Sequence, residues 1–205
     1  MNFQEFRKDM FDSICFTTNQ VNAWHPGFDK NALGRWVKKG YLVKLRNGYY
    51  SFPEYLGKPG YSFFMANRMY KPSYISTHTA LVFYGMIPES VVQITSVTPL
   101  KTSMFTNVFG EYTYKSIKPN LMFGYGLKPF NDGRTLQIAD PEKALLDLLY
   151  LYPAYNTSRD MEDLRLDEDY LHDDLKKDIL RDYTLQFQSK ALEQRVNRLL
   201  ATYEL

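Results

Sequence analysis

The chain has 205 residues, 44% of them hydrophobic and 23% charged, which suits one large or two small folded domains and excludes wholesale disorder or a coiled-coil rod. Its net charge of +2 conceals an asymmetry: residues 1–56 hold eight basic and five acidic residues, 57–138 eight and three, and 139–205 nine and fifteen. A basic front and middle with an acidic end point to a nucleic-acid face on one part and a solvated or partner-facing tail on another.

In chain order, Phe3, Phe6, Met10 and Phe11 fall at helical spacing over 3–12. Thr17-Thr18-Asn19-Gln20-Val21 reads as the capped start of a short second helix, ended by His25-Pro26-Gly27. Asp29 caps a third helix with Leu33, Trp36 and Val37 as its apolar stripe and Gly40 at its C-terminal end. Tyr41–Arg46, then Asn47-Gly48, then Tyr49–Phe52 is the pattern of a tight hairpin, because Asn-Gly supplies the positive φ angles of a two-residue turn. Helix, short helix, turn, helix, hairpin is the order of a winged helix-turn-helix.

Pro53 to Gly60 carries two Pro and two Gly and reads as a linker. It divides a DNA-binding domain, 1–56, from an α+β domain, 57–205, whose tail from about 159 is acidic and helical. In that second part, helices are predicted over 61–70 and 76–86, and strands over 91–98, 104–109, 111–117, 121–127 and 134–139. Asp140-Pro141 then opens an apolar helix to about Tyr152. Leu185, Leu192, Val196, Leu199 and Leu200 are read as the apolar stripe of the last helix. The fold class is therefore α+β, a winged helix-turn-helix followed by a mixed α/β domain with a largely antiparallel sheet.

The densest basic window, 28–50, sets six cations against Asp29 alone. Asn31, Arg35 and Lys38 share the third helix's face opposite its apolar stripe. Asn suits adenine edges and Arg guanine edges in the major groove. Lys30, Lys38 and Lys39 suit phosphates, as do Lys44 and Arg46, which flank the hairpin tip at Asn47. Thr17, Thr18 and Asn19 would place hydroxyls and N–H groups beneath a phosphate at the start of the second helix.

Four stretches resemble the AbiEi family of antitoxins. They are Leu33–Tyr50, Pro72–Ser76 continuing through Ala80-Leu81 to Tyr84–Glu89, Ile94–Thr98, and Ile138–Asp147 with its Asp140-Pro141-Glu142-Lys143 core. Together they span roughly residues 15–150, in the same order. The resemblance implies a transcriptional repressor of its own type IV toxin–antitoxin operon, of the kind tied to abortive infection and phage defence. It also implies a nucleotidyltransferase-like toxin as functional partner and a share for the C-terminal domain in neutralising it. The acidic tail departs from the pattern.

The expected partner is double-stranded DNA of the protein's own promoter, and no motif fixes the oligomeric state, a homodimer on DNA being one arrangement the fold class allows. No enzymatic activity, cofactor or metal is expected: there is no phosphate-binding loop, dinucleotide fingerprint or nucleophile elbow. Cys15 is the one cysteine, and His25, His78 and His172 stand at no zinc spacing with it. The N-terminus is not read as a signal peptide, and no run approaches the roughly 18 apolar residues of a membrane span, so a cytoplasmic protein is expected. Two alternatives stay open. Asp140, Glu142 and Lys143, or the runs Asp160–Asp163 and Asp167–Asp169, supply residue types of a metal-dependent nuclease, though helix starts explain them without chemistry. The winged helix could also serve as an interaction module, with Tyr112, Tyr114, Phe123 and Tyr125 as stacking platforms.

Overall fold

A computed structural model describes residues 1–88, 92–129 and 133–205. Glu89 of the second resembling stretch and Val91, the first residue of an expected strand, lie outside the described residues.

The chain opens with α1 (Phe3–Met10), held at its start by reciprocal hydrogen bonds between Asn2 and Glu5. A 3-10 turn leads into β1 (Cys15–Thr17). Thr17 and Gln20 form the capping box of α2 (Thr18–Trp24). Then come α3 (Asn31–Lys38), β2 (Val43–Arg46) and β3 (Tyr49–Ser51). The three strands form an antiparallel sheet in the order β1-β3-β2. An aromatic cluster fills the space between helices and sheet: Phe6 lies 4.8 Å from Trp36 and 5.5 Å from Phe16, which lies 5.5 Å from Phe52. Such clusters add edge-on and offset ring contacts to the apolar burial.

The rest is built on a six-stranded sheet. Its strands are β4 (Tyr74–Ile75), β5 (Gln93–Thr98), β6 (Ser103–Asn107), β7 (Gly110–Ser116), β8 (Tyr125–Pro129) and β9 (Thr135–Ala139). They run in the order β6-β7-β5-β4-β9-β8. The outer pairs and β4–β5 are antiparallel, whereas β5–β7 and β4–β9 are parallel, so the sheet is mixed. The register sets Tyr114, Ser96, Ile75 and Ile138 side by side across four strands. That face meets α4 (Tyr61–Met69), whose Ala66 carbonyl accepts from the Tyr114 hydroxyl at 2.7 Å. The other face carries α5 (Thr77–Phe83) and α6 (Pro141–Leu151). Cover on both faces explains why Tyr112, Thr113 and Tyr114 are all buried, an orientation that alternation alone leaves ambiguous. It also removes Tyr112 and Tyr114 as stacking platforms for bases.

The expected strand 121–127 is displaced. Pro119–Leu121 is a 3-10 turn, and Gly124 takes φ +64, so pairing begins only at Tyr125. Gly124 has to be glycine on packing grounds too: a Cβ there would lie 2.7 Å from the Tyr183 ring and 3.0 Å from the Lys143 Cβ.

The polar residues of α6 are the least expected feature of the interior. Lys143 and Asp147, one turn apart, form a salt bridge with both side chains wholly buried. Tyr74 and Ser76 donate to the Asp147 carboxylate at 2.9 and 2.8 Å, and Lys143 donates to the Tyr74 hydroxyl at 2.9 Å. Burial pushes the Asp147 carboxyl above its usual range and pulls the Lys143 amine below its own, each opposed by the other's charge. Glu142, a residue type that the helix start alone explains in the sequence, is also buried, and its carboxylate accepts from the Lys176 N–H at 2.9 Å.

The tail folds into α7 (Ser158–Glu162), α8 (Glu168–Asp173), α9 (Lys177–Gln186) and α10 (Lys190–Thr202). Leu192, Val196 and Leu199 face inward as expected, but Leu185 belongs to α9 and is exposed, because a break after Gln186 changes the helical phase. No helix among the described residues is long and apolar enough to cross a membrane.

The stretch read as a linker is docked. Pro53–Tyr55 is a 3-10 turn, and buried Tyr55 stacks on Phe11 and Tyr61 while its hydroxyl donates to the Phe11 carbonyl at 2.7 Å. Arg134 reaches back to the Asp12 carbonyl at 2.8 Å, and Asn107 donates to the Leu45 carbonyl at 3.3 Å. One continuous hydrophobic core therefore runs through both parts.

Candidate nucleic-acid interface

The exposed face of α3 follows from its sequence. Ala32, Leu33 and Trp36 are buried, so the helical period turns Asn31, Arg35 and Lys38 to solvent. Lys30 precedes the helix, Lys39 follows it, and both are exposed. Asp29 shapes the start. Its carboxylate accepts from the Asn31 N–H at 3.0 Å and pairs with the Arg35 guanidinium at 2.7 Å. The Arg35 hydrogen bond, then the Asn31 N–H, hold the Asp29 carboxyl below its ordinary value. The guanidinium expected to read a base is thus held by an exposed carboxylate, in a pair that water and salt weaken.

The hairpin forms where Asn47-Gly48 predicts it, with Gly48 at φ +75 and a register shift between Lys44 and Arg46. Lys44 and Asn47 are exposed. The tip is tied to the second helix, since the Thr18 N–H donates to the Gly48 carbonyl at 3.0 Å.

Two expected contacts are placed differently. The Thr17 hydroxyl accepts from the Gln20 N–H at 3.1 Å, and the Thr17 N–H donates to the Gln20 side chain at 2.8 Å. With the Thr18 N–H also bonded, these three backbone donors are spent within the chain, so at these residues only side chains could meet a phosphate; Asn19 is exposed beside them. Arg46 does not extend into solvent from the hairpin. Its guanidinium lies 4.4 Å from the Tyr49 ring centre and 4.9 Å from that of Phe105, because the strand bulge turns it toward β6. The structure therefore gathers Lys30, Asn31, Arg35, Lys38 and Lys39 on α3 and its ends, with Lys44 and Asn47 on the hairpin.

The acidic runs weighed as metal ligands have other work. Asp160 completes a capping box with Thr157 at the start of α7, and Asp167 caps α8. Among the described residues no group of three or more His, Cys, Asp or Glu side chains could hold a metal ion. His78 sits against Tyr155, 3.1 Å from its hydroxyl. Cys15 is buried, which pushes its thiol up to about 12.

The chain matches no protein-family model and no curated protein sequence.

Proposed function

We propose that residues 1–56 are a winged helix-turn-helix and that the protein binds duplex DNA as a cytoplasmic, non-enzymatic repressor. The observation that carries the reading is the outward face of α3, where one amide and several cations stand clear of the core and Asp29 is the one acidic residue in the stretch 28–50. The element order and the β1-β3-β2 sheet support it, since a hairpin following the third helix is the arrangement of a wing. In this reading α3 enters the major groove, Asn31 and Arg35 meet base edges, and Lys30, Lys38, Lys39 and Lys44 meet phosphates. The resemblance to AbiEi antitoxins extends it: the DNA is the promoter of the protein's own operon, and a nucleotidyltransferase-like toxin is the functional partner.

The test is fluorescence anisotropy with labelled duplex from upstream of this gene against a scrambled duplex across a salt series. Tight binding to the native duplex alone, with a salt slope reporting several released counterions, is the expected result. Equal or negligible binding of the two duplexes removes the repressor reading.

A further inference from the structure

Two clefts flank one pair of cations on the seam between the N-terminal unit and the long sheet. The first, of about 180 Å³, is walled by Cys15, Thr17, Gln20 and Tyr49 from the N-terminal side and by Arg68 and Lys71 from the other. The second, of about 210 Å³, lies against β8 and β9 and shares Arg68 and Lys71. Arg68 sits in the last turn of α4, where a cation complements the helix dipole. That accounts for one positive charge but not for a second turned into the same clefts.

Neither wall contains a carboxylate, and among the described residues neither Arg68 nor Lys71 makes an ion pair. The Arg68 guanidinium lies over the Phe64 ring at 4.8 Å. Burial first, and the Arg68 charge second, pull the Lys71 amine below its usual value. Arg46, packed on Tyr49, adds a third positive charge, and all three act on neighbouring Cys15. The uncharged wall is equally one-sided. Thr17 and Gln20 commit their side-chain oxygens to the capping box, so the Thr17 O–H and the Gln20 amide N–H₂ remain as donors. Two cations and two neutral donors, with no acidic residue among them, complement an oxyanion.

We propose that Arg68 and Lys71, with Thr17 and Gln20, form a binding cleft for a phosphate group, supplied by the backbone of duplex DNA or by a free phosphorylated ligand. The cleft rests on the DNA-binding reading only for the first of these sources. The side chains involved are surface-accessible, so they can be changed without opening the core.

The full chain and its Arg68→Gln/Lys71→Gln and Lys71→Ala variants are compared in two titrations. In the first, inorganic phosphate is set against chloride at equal ionic strength and Tm is followed. The expected result is a rise of Tm in the wild type that the double variant loses and Lys71→Ala reduces. In the second, native and scrambled duplexes are titrated across a salt series. The double variant is expected to weaken both on the order of tenfold and to lower the salt slope by about 2, with base preference unchanged. Loss in the duplex titration assigns the cleft to the DNA backbone; loss with phosphate alone assigns it to a free phosphorylated ligand. If the wild type binds no duplex, the repressor reading falls and the phosphate titration alone decides the cleft. Variants that match the wild type in both titrations overturn it.

Discussion

At Arg35 the proposed base-reading role and an observed ion pair with Asp29 would compete for one guanidinium. If it reads a base, Arg35→Ala weakens specific binding by about 1–3 kcal/mol and relaxes preference at one position of the operator, which a binding-site selection profile detects. Asp29→Asn keeps an oxygen for the Asn31 N–H but frees Arg35, and should tighten duplex binding about two- to fivefold, since an exposed pair gives up little when broken; anisotropy at fixed salt checks this. The pair also has a predictable acid limit. Because the folded-state value of Asp29 lies below the ordinary 3.8, its contribution is present above that value and is lost as pH falls through the lower, folded one. The Asn31 amide resonance should therefore shift only on the acid side of about pH 4 in the wild type, and not at all in Asp29→Asn.

Among the elements, α6 is the one whose interior depends on charge. Asp147→Asn strands the buried Lys143 ammonium and should cost about 3–5 kcal/mol in urea unfolding. Lys143→Met/Asp147→Leu removes both charges and should cost less than the single change; a double variant worse than the single would show that the Tyr74 and Ser76 bonds, not charge balance, dominate. The start of α6 was readable from Asp140-Pro141, as were the α2 cap from Thr17 and the hairpin from Asn47-Gly48, because caps and turns are set by adjacent residues. The apolar helix itself was readable, but the burial of Glu142, Lys143 and Asp147 was not, since charges spaced one turn apart on a helix ordinarily share its wet face. Their partners, Tyr74, Ser76 and the Lys176 N–H, come from at least 34 residues away. Arg46 escaped for a similar reason: a bulge between Lys44 and Arg46 decides its direction, and no residue type announces it. The basic α3 face was legible from its period alone, whereas Arg68 lies on α4 and Lys71 just beyond its end, and they become neighbours of Thr17 and Gln20 only through the fold.

For the molecule as a whole, the seam around Tyr55, Arg134 and Asn107 joins the two parts through one core, and they are expected to unfold together. Both tryptophans, Trp24 and Trp36, fall within the first 56 residues, while most helices lie beyond them. Tryptophan emission and far-UV circular dichroism thus report different ends, and their urea transitions should coincide; a separate earlier emission transition would mean that the N-terminal unit melts alone. The burial of Cys15 at the edge of this shared core has a practical consequence. Thiol-directed dyes react through the thiolate, which a buried group titrating at about 12 scarcely forms at neutral pH. An Asn47→Cys protein would then carry one reactive handle at the hairpin tip, with no native cysteine to remove first. A donor fluorophore coupled there, against acceptors stepped along a duplex, would map the tip's position on the DNA by distance alone.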